Sequence, residues 1–161
     1  MKVRFAFAFF LVCVCAMSGC YRYAHLYPIQ GPLASQAPPP VFTAKMTGAF
    51  NSGSVSVTLA NGEVFSGPWK AISVKERAQN ATAAKPAVSL ASAWDMVYGQ
   101  GFYTAHVLGT PLFAQATLTG NQGTLLQVEM YRQEHGGDTA ASLDIKGVAK
   151  DSKDNIYKLV I

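Results

Sequence analysis

The sequence predicts a mainly β fold: a small antiparallel meander of about seven or eight strands, forming a sandwich or a barrel, with at most one short helix. Two observations favour this class. Short runs of alternating apolar and polar residues recur along residues 41–161, and turn signals rich in glycine, asparagine and aspartate separate them. Helical periodicity is almost absent from the same region. We therefore predict a single β domain over residues 41–161.

The clearest strand pair is a hairpin that turns at Asn61-Gly62. Val55, Val57 and Leu59 alternate with serine and threonine before this dipeptide, and a second apolar run follows it. Asn-Gly between two apolar runs is the strongest short-range hairpin signal. A hairpin over residues 54–65 is therefore expected.

The other elements follow from the same alternation. Residues 41–50 predict a strand before the hairpin, and AISVKE, residues 71–76, predicts a strand after it. Residues 78–90 predict a surface loop that leads into a short helix over Ser89 to Met96. The alternation then returns in five predicted strands: GFYTAHVLG (101–109), LFAQATLTG (112–120), TLLQVEMYR (124–132), ASLDIKGVAKD (141–151) and NIYKLVI (155–161).

The apolar members of these runs are the expected core. They are Phe102, Val107, Leu118, Leu126, Val128, Ile145, Val148, Ile156 and Leu159.

The N-terminal segment has a different character. Lys2 and Arg4 precede an uninterrupted apolar run, residues 5–17, that carries no charge. A spanning helix needs about 20 predominantly apolar residues, so this run is short for a membrane span. A basic start followed by an apolar stretch of this size is typical of a secretory signal peptide.

The segment ends as Met17-Ser18-Gly19-Cys20, which resembles the lipobox of bacterial lipoproteins. The resemblance covers the first twenty residues, and Met17 stands where the family most often has leucine. It implies that residues 1–19 are a cleaved signal peptide, that the bond between Gly19 and Cys20 is cut, and that Cys20 carries the lipid. The expected partner is then the membrane, reached through acyl chains on Cys20.

The cysteine positions are consistent with this interpretation. Cys13 and Cys15 lie in the segment that would be removed, so Cys20 would be the single thiol of the mature chain. One thiol forms no internal disulfide, and a leftover cysteine in an exported protein needs an explanation. Cys13-x-Cys15 also lacks the spacing of a zinc pair.

The residue after Cys20 indicates the membrane in which the protein is expected, and the charge of the mature chain limits its expected partners. In Gram-negative bacteria, an aspartate after the lipidated cysteine tends to retain lipoproteins in the inner membrane. Tyr21 occupies that position here, which favours the outer membrane. The periplasmic face of that membrane is the expected location. Without Lys2 and Arg4 the chain has eleven basic and nine acidic residues, and the basic ones are dispersed. Nucleic-acid binding normally uses clustered basic residues, so no nucleic-acid partner is expected.

Residues 20–40 predict an acylated cysteine followed by a proline-rich tether. This segment contains five prolines and ends in Pro38-Pro39-Pro40, which favours extended polyproline II. Tyr21, Tyr23 and Tyr27 interleave with basic residues there. Tyrosine prefers membrane–water interfaces, so these side chains are expected either to contact headgroups or to be plain linker residues.

The sequence contains no strong motif for catalysis or metal binding. His25, His106 and His135 are not at metal-ligand spacing, and EHGGD, residues 134–138, is better interpreted as a solvated turn. DSKDN, residues 151–155, departs from a calcium loop at Lys153 and lacks its glycine. We therefore predict no enzyme activity, no cofactor and no metal.

The predicted binding surface consists of large aromatic residues with one acidic member, and most of them lie in SAWDMVYGQGFY, residues 92–103. Its members are Trp69, Trp94, Asp95, Tyr98, Phe102 and Tyr103. Core packing is the preferred interpretation of these rings, and a ligand pocket or an interface is the alternative. Two functions follow as expectations: a non-enzymatic envelope lipoprotein that binds a protein partner or has a structural role, or an envelope hydrolase or small-ligand carrier using a pocket near residues 94–103.

Overall fold

The fold is a closed barrel of eight antiparallel strands, seen in a computed structural model that describes residues 21–49, 51–82, 90–111, 113–133 and 144–161. Each strand pairs with its neighbour in sequence, and β8 pairs with β1. The predicted meander of about eight strands is confirmed, as a barrel. The strands are β1 (Tyr21–Gln30), β2 (Phe42–Ala49), β3 (Ser52–Thr58), β4 (Val64–Ile72), β5 (Phe113–Gly120), β6 (Leu125–Arg132), β7 (Ile145–Asp151) and β8 (Ile156–Val160).

The predicted hairpin is confirmed as β3 and β4. Thr58 pairs with Val64 at its closed end, and Gly62 has φ +80°, a conformation that glycine adopts without strain. The runs predicted beyond residue 112 are also strands, as β5 to β8. The predicted signal peptide and the lipidation site, residues 1–20, lie outside the described residues, as does EHGGD.

The tether predicted over residues 20–40 is wrong for residues 21–30, which form strand β1. Tyr21 pairs with Thr47 of β2, and Leu26 pairs with Leu159 of β8. Proline composition suggested a linker, but Pro28 lies where the β1–β8 register shifts, and such an irregularity tolerates a residue without an N–H. The β domain therefore begins at Tyr21 rather than at Val41.

Helical structure exceeds the one short helix that we predicted. The segment between β4 and β5 contains α1 (Val74–Thr82), α2 (Ala91–Tyr98) and a π-helical turn (Tyr103–Val107). The helix expected near residues 89–96 is present as α2, and part of the predicted 78–90 loop is α1. The strand predicted over residues 101–109 is absent, because the π-helical turn occupies it.

A capping box explains why AISVKE does not continue as a strand. The Ser73 hydroxyl accepts the backbone N–H of Glu76 at 3.2 Å, and the Glu76 carboxylate accepts the backbone N–H of Ser73 at 2.9 Å. These reciprocal bonds satisfy donors that a helix start leaves unpaired. The alternating pattern therefore ends at Ile72, the last residue of β4.

Two hydrophobic clusters lie on opposite sides of the barrel wall. The inner cluster fills the barrel and includes Leu26, Phe65, Leu118, Leu126 and Leu159 from five strands. The outer cluster joins the helical segment to the outward faces of β4 to β8. Its members are Ile72, Leu90, Ala93, Trp94, Val107, Phe113, Tyr131, Val148 and Ile156.

The predicted core residues divide between these clusters. Leu118, Leu126, Val128 and Leu159 are buried inside the barrel, with Ile145 partly buried against them. Val107, Val148 and Ile156 belong to the outer cluster, and the partly buried Phe102 packs against it.

A polar network lies where the β7–β8 turn meets the barrel interior. Asp151 is 3% exposed and accepts hydrogen bonds from the Tyr157 hydroxyl at 2.7 Å and the Asn155 amide at 2.8 Å. Nearby, the fully buried Glu63 accepts a bond from Lys153 Nζ at 3.0 Å. These partners satisfy polar groups that would be costly to bury alone.

The position of β1 in the wall gives a stability prediction. Leu26 is 1% exposed inside the barrel, and Tyr23 is 52% exposed on its outer face. We expect Leu26→Ala to lower the free energy of unfolding by about 2 to 5 kcal/mol, because it leaves a cavity. Tyr23→Ala should change it by only about 0.5 kcal/mol. Urea denaturation of both variants tests this, and equal, negligible effects would contradict the placement of β1.

Candidate functional site

The predicted aromatic stretch folds against the outside of the barrel. Trp94 lies on α2 and is fully buried, while Tyr98 and Phe102 are half-buried. Trp94 and Tyr98 are four residues apart on α2, so they lie on one face of this helix. Gly99 and Gly101 then have φ +110° and +81°, and the turn that they form brings Phe102 to the Trp94 ring.

The rings of these residues form one stack. Trp94 is stacked with Tyr98, at 5.5 Å between ring centroids, and with Phe102, at 6.1 Å. Tyr131 of β6 meets the Trp94 ring edge-on at 5.6 Å, and His106 continues the stack on Phe102 at 4.7 Å. The faces that a ligand would need are thus largely covered by other rings, in agreement with core packing.

Asp95 and Tyr98 use their polar atoms within the fold. The Asp95 carboxylate accepts the backbone N–H of Tyr103 at 2.9 Å and so joins α2 to the π-helical turn. The Tyr98 hydroxyl donates to the carbonyl of Gly147 at 3.3 Å. Burial raises the pKa of Tyr98 to about 12. Its hydroxyl is therefore a neutral donor that ties α2 to β7.

Trp69 belongs to a different part of the molecule. It lies on β4, packs partly buried against the inner cluster, and donates from Nε1 to the Thr47 carbonyl at 2.9 Å. The barrel wall separates it from the outer aromatic stack. The structure thus brings together five of the six predicted residues and leaves Trp69 apart.

Glu129 is the buried residue of this region that sequence reasoning missed. It lies on β6, only 3% exposed, beneath the helical segment. Its Oε2 accepts Trp94 Nε1 at 2.8 Å, and its Oε1 accepts the Leu90 backbone N–H and Gln115 Nε2, each at 3.4 Å. Both carboxylate oxygens therefore hold groups of the protein itself.

Strand alternation could not reveal Glu129. On β6 the inward residues include Leu126 and Val128, so the pattern places Glu129 on the outer face. Outward carboxylates are normally solvated. Here residues more than thirty positions earlier cover it, and no local signal at residues 125–132 indicates that cover.

Arg77 connects α1 to the π-helical turn and to β5. Its guanidinium donates to the Val107 carbonyl at 2.9 Å and to the Thr110 carbonyl, and it lies over the Phe113 ring at 4.5 Å. Burial lowers the pKa of Arg77, and the charge of Glu129 opposes that shift. The guanidinium thus holds α1 and the π-helical turn against the outer face of the barrel.

The outward face of β1 presents a second feature, which we call the β1 strip. It consists of alternate residues that point away from the barrel interior and are exposed. They are Tyr21, Tyr23, His25, Tyr27 and Ile29. Lys45 of β2 lies over the Tyr21 ring, with Nζ 4.8 Å from its centroid.

Among the described residues, no group of three or more histidine, cysteine or acidic side chains is placed to hold a metal ion. Across the same residues, no helix has the length and hydrophobicity required to cross a membrane.

Comparisons with known proteins add no family. No family model, curated protein or solved structure matches this chain.

The burial of Glu129 generates a pH prediction. Burial raises its pKa above the ordinary value of 4.5, although hydrogen bonds and the charge of Arg77 oppose the shift. The folded state then binds the proton more tightly than the unfolded state. Its contribution to stability is consequently largest at low pH and declines as pH rises from about 4.5 through the folded pKa. We expect the unfolding free energy of the wild type minus that of Glu129→Gln to fall across this window.

Glu76→Gln is the matched control, because bonds from the Ser73 backbone and hydroxyl lower the pKa of Glu76. The corresponding difference for Glu76 should rise with pH, and it should do so below about 4.5. Urea denaturation at a series of pH values measures both. A difference for Glu129 that is flat with pH would show that its carboxyl is not perturbed.

Proposed function

We propose that this protein is a bacterial lipoprotein, anchored by acyl chains on Cys20, whose barrel has a binding or structural role at the envelope rather than a catalytic one. The sequence basis is the basic start, the apolar run and the lipobox-like Met17–Cys20. Outer-membrane location on the periplasmic side is part of the proposal, because Tyr21 and not aspartate follows the cysteine.

The observation that carries the proposal is the position of the first strand. The barrel closes from β1 to β8 with strands that all lie between Tyr21 and Val160. Cleavage before Cys20 would therefore remove no strand of this closed barrel. The mature chain that the lipobox predicts contains the complete ring.

This position also determines how the anchor would act. Neighbouring Cα atoms are about 3.8 Å apart, so acyl chains on Cys20 would hold the barrel wall at the bilayer surface without a spacer. Each buried methylene contributes about 0.8 kcal/mol, and stable anchoring takes two chains or one chain with a second signal. A folded domain without a spanning helix is then retained at the membrane.

A non-catalytic role is supported by the way polar groups are used. Glu129 accepts three hydrogen bonds from the protein, and the Asp95 carboxylate accepts the Tyr103 N–H. Trp94 is fully buried within its ring stack. These groups maintain the packing between the helices and the barrel, which leaves them poorly suited to act on a substrate.

The anchor is tested by Cys20→Ser, with Cys13→Ser and Cys15→Ser as matched controls. In a bacterial host fed an alkyne fatty acid, we expect the wild type and both controls to carry label and to lack residues 1–19. Cys20→Ser should carry no label and keep its signal peptide, because no acceptor sulfur remains. In-gel fluorescence and N-terminal mass spectrometry measure this. Label on Cys20→Ser, or its absence from the wild type, would overturn the proposal.

The location is tested by Tyr21→Asp, with Tyr21→Ser as the control. The Tyr21 side chain is 55% exposed, so both changes should leave the barrel folded. In a Gram-negative host, we expect Tyr21→Asp to move most of the protein from outer-membrane to inner-membrane fractions of a density gradient. Tyr21→Ser should remain with the outer membrane. An inner-membrane wild type would contradict this part of the proposal.

A further inference from the structure

The β1 strip differs from the other exposed strand faces nearby. Tyr21 and Tyr23 are 55% and 52% exposed, and Tyr27 and Ile29 are 39% and 44% exposed. By contrast, the outward residues of β3 are all serine or threonine: Ser52, Ser54, Ser56 and Thr58. A contiguous row of large exposed apolar side chains on an otherwise hydroxyl-bearing surface marks an interaction site.

Basic residues flank the β1 strip on both neighbouring strands. Lys45 of β2 pairs with Tyr23, and Lys158 of β8 pairs with Tyr27. The exposed Asp154 lies at the far end of β1, in the turn beside Gly31, where it pairs with Lys150. Strands β1, β2 and β3 contain no aspartate or glutamate; the first acidic residue of the chain is Glu63. The surface around the strip is therefore complementary to an anionic partner.

We infer that the β1 strip lies on the lipid headgroup surface, so that the barrel rests on its side rather than standing on its anchor. This inference depends on the proposed lipid anchor. The strip begins one residue after Cys20 and is thus continuous with the point of attachment. Tyrosine favours the membrane interface, and basic side chains near it attract anionic lipids.

The geometry of the barrel determines which faces lie near and far. A ten-residue strand is about 33 Å long, so a strip along β1 extends well beyond the anchor point. In the closed ring, β5 is four strands from β1 in either direction. Its outward, exposed residue Thr117 is consequently expected far from the bilayer while Tyr23 lies at its surface.

The orientation is tested on the acylated chain with single fluorescent labels. After cleavage and acylation, an introduced cysteine is the sole free thiol, because Cys13 and Cys15 are removed and Cys20 carries lipid. Tyr23→Cys and Thr117→Cys are labelled with a nitrobenzoxadiazole dye. Both are then inserted into vesicles of phosphatidylethanolamine and phosphatidylglycerol that contain a headgroup nitroxide quencher.

We expect the label at position 23 to be quenched several-fold more strongly than the label at position 117. Equal quenching at both positions, in vesicles that carry the protein through a flotation gradient, would overturn the orientation and leave the anchor intact. Failure of the anchor itself would be visible earlier, as unlabelled and unprocessed protein in the fatty-acid experiment.

A second measurement tests the strip without the acyl chains on Cys20. The chain from residue 20 with Cys20→Ser contains all eight strands. We expect it to bind anionic vesicles in a salt-sensitive manner, and Lys45→Gln to weaken that binding about fivefold. The matched control is Lys70→Gln, an exposed outward lysine on β4, which should have no effect.

Removing the tyrosines should have a larger effect. The variant Tyr21→Ser/Tyr23→Ser/Tyr27→Ser should lose most vesicle binding, whereas Val64→Ser/Leu125→Ser, exposed apolar residues on β4 and β6, should retain it. Circular dichroism confirms that each variant is folded. Unchanged vesicle binding by the folded tyrosine variant would overturn the inference. Equal binding to neutral vesicles would overturn the part of it that assigns attraction to anionic lipids.

Discussion

The pairing of β1 with β8 is the interaction on which the rest of the structure depends. Without it, the sheet would have two open edges, and Leu26 and Leu159 would lose each other as neighbours across the ladder. Closure satisfies the backbone groups of both edges and seals the inner cluster. The closed wall is also the support for the outer cluster, since β7 and β8 contribute Val148 and Ile156 to it.

The helical segment shows how an ordinary strand face becomes interior. Outward residues of β6, Glu129 and Tyr131, lie beneath α2 and its ring stack. Covering them buries one carboxylate without a salt bridge among the described residues, a costly arrangement that three hydrogen-bond donors offset. The layer therefore combines strong apolar packing with polar contacts that fix where α2 lies, from Trp94 to Glu129 and from the Tyr98 hydroxyl to Gly147.

Local signals explain which parts of the fold could be predicted. Asn61-Gly62 encodes its hairpin within a few residues, and β5 to β8 follow from alternation alone. Strand β1 could not be inferred because Pro28 and the prolines that follow it suggest a linker, and because one of its partners, β8, lies at the far end of the sequence. Of the candidate site, the contact between Trp94 and Tyr98 was accessible from their spacing of four residues. The cover over Glu129 was not, because distant residues provide it.

Ring closure between the first and last strands also imposes an order of events in time. No N-terminal fragment can form the closed wall, because β1 has no second neighbour until residues up to Val160 have been made. A chain exported while still growing would carry an unpaired strand edge beside its anchor throughout that interval. Contacts between such distant residues form slowly. Under the cleavage that we propose, an enzyme acting on the bond before Cys20 could therefore meet β1 with β2 as its single strand neighbour, before β8 pairs with it.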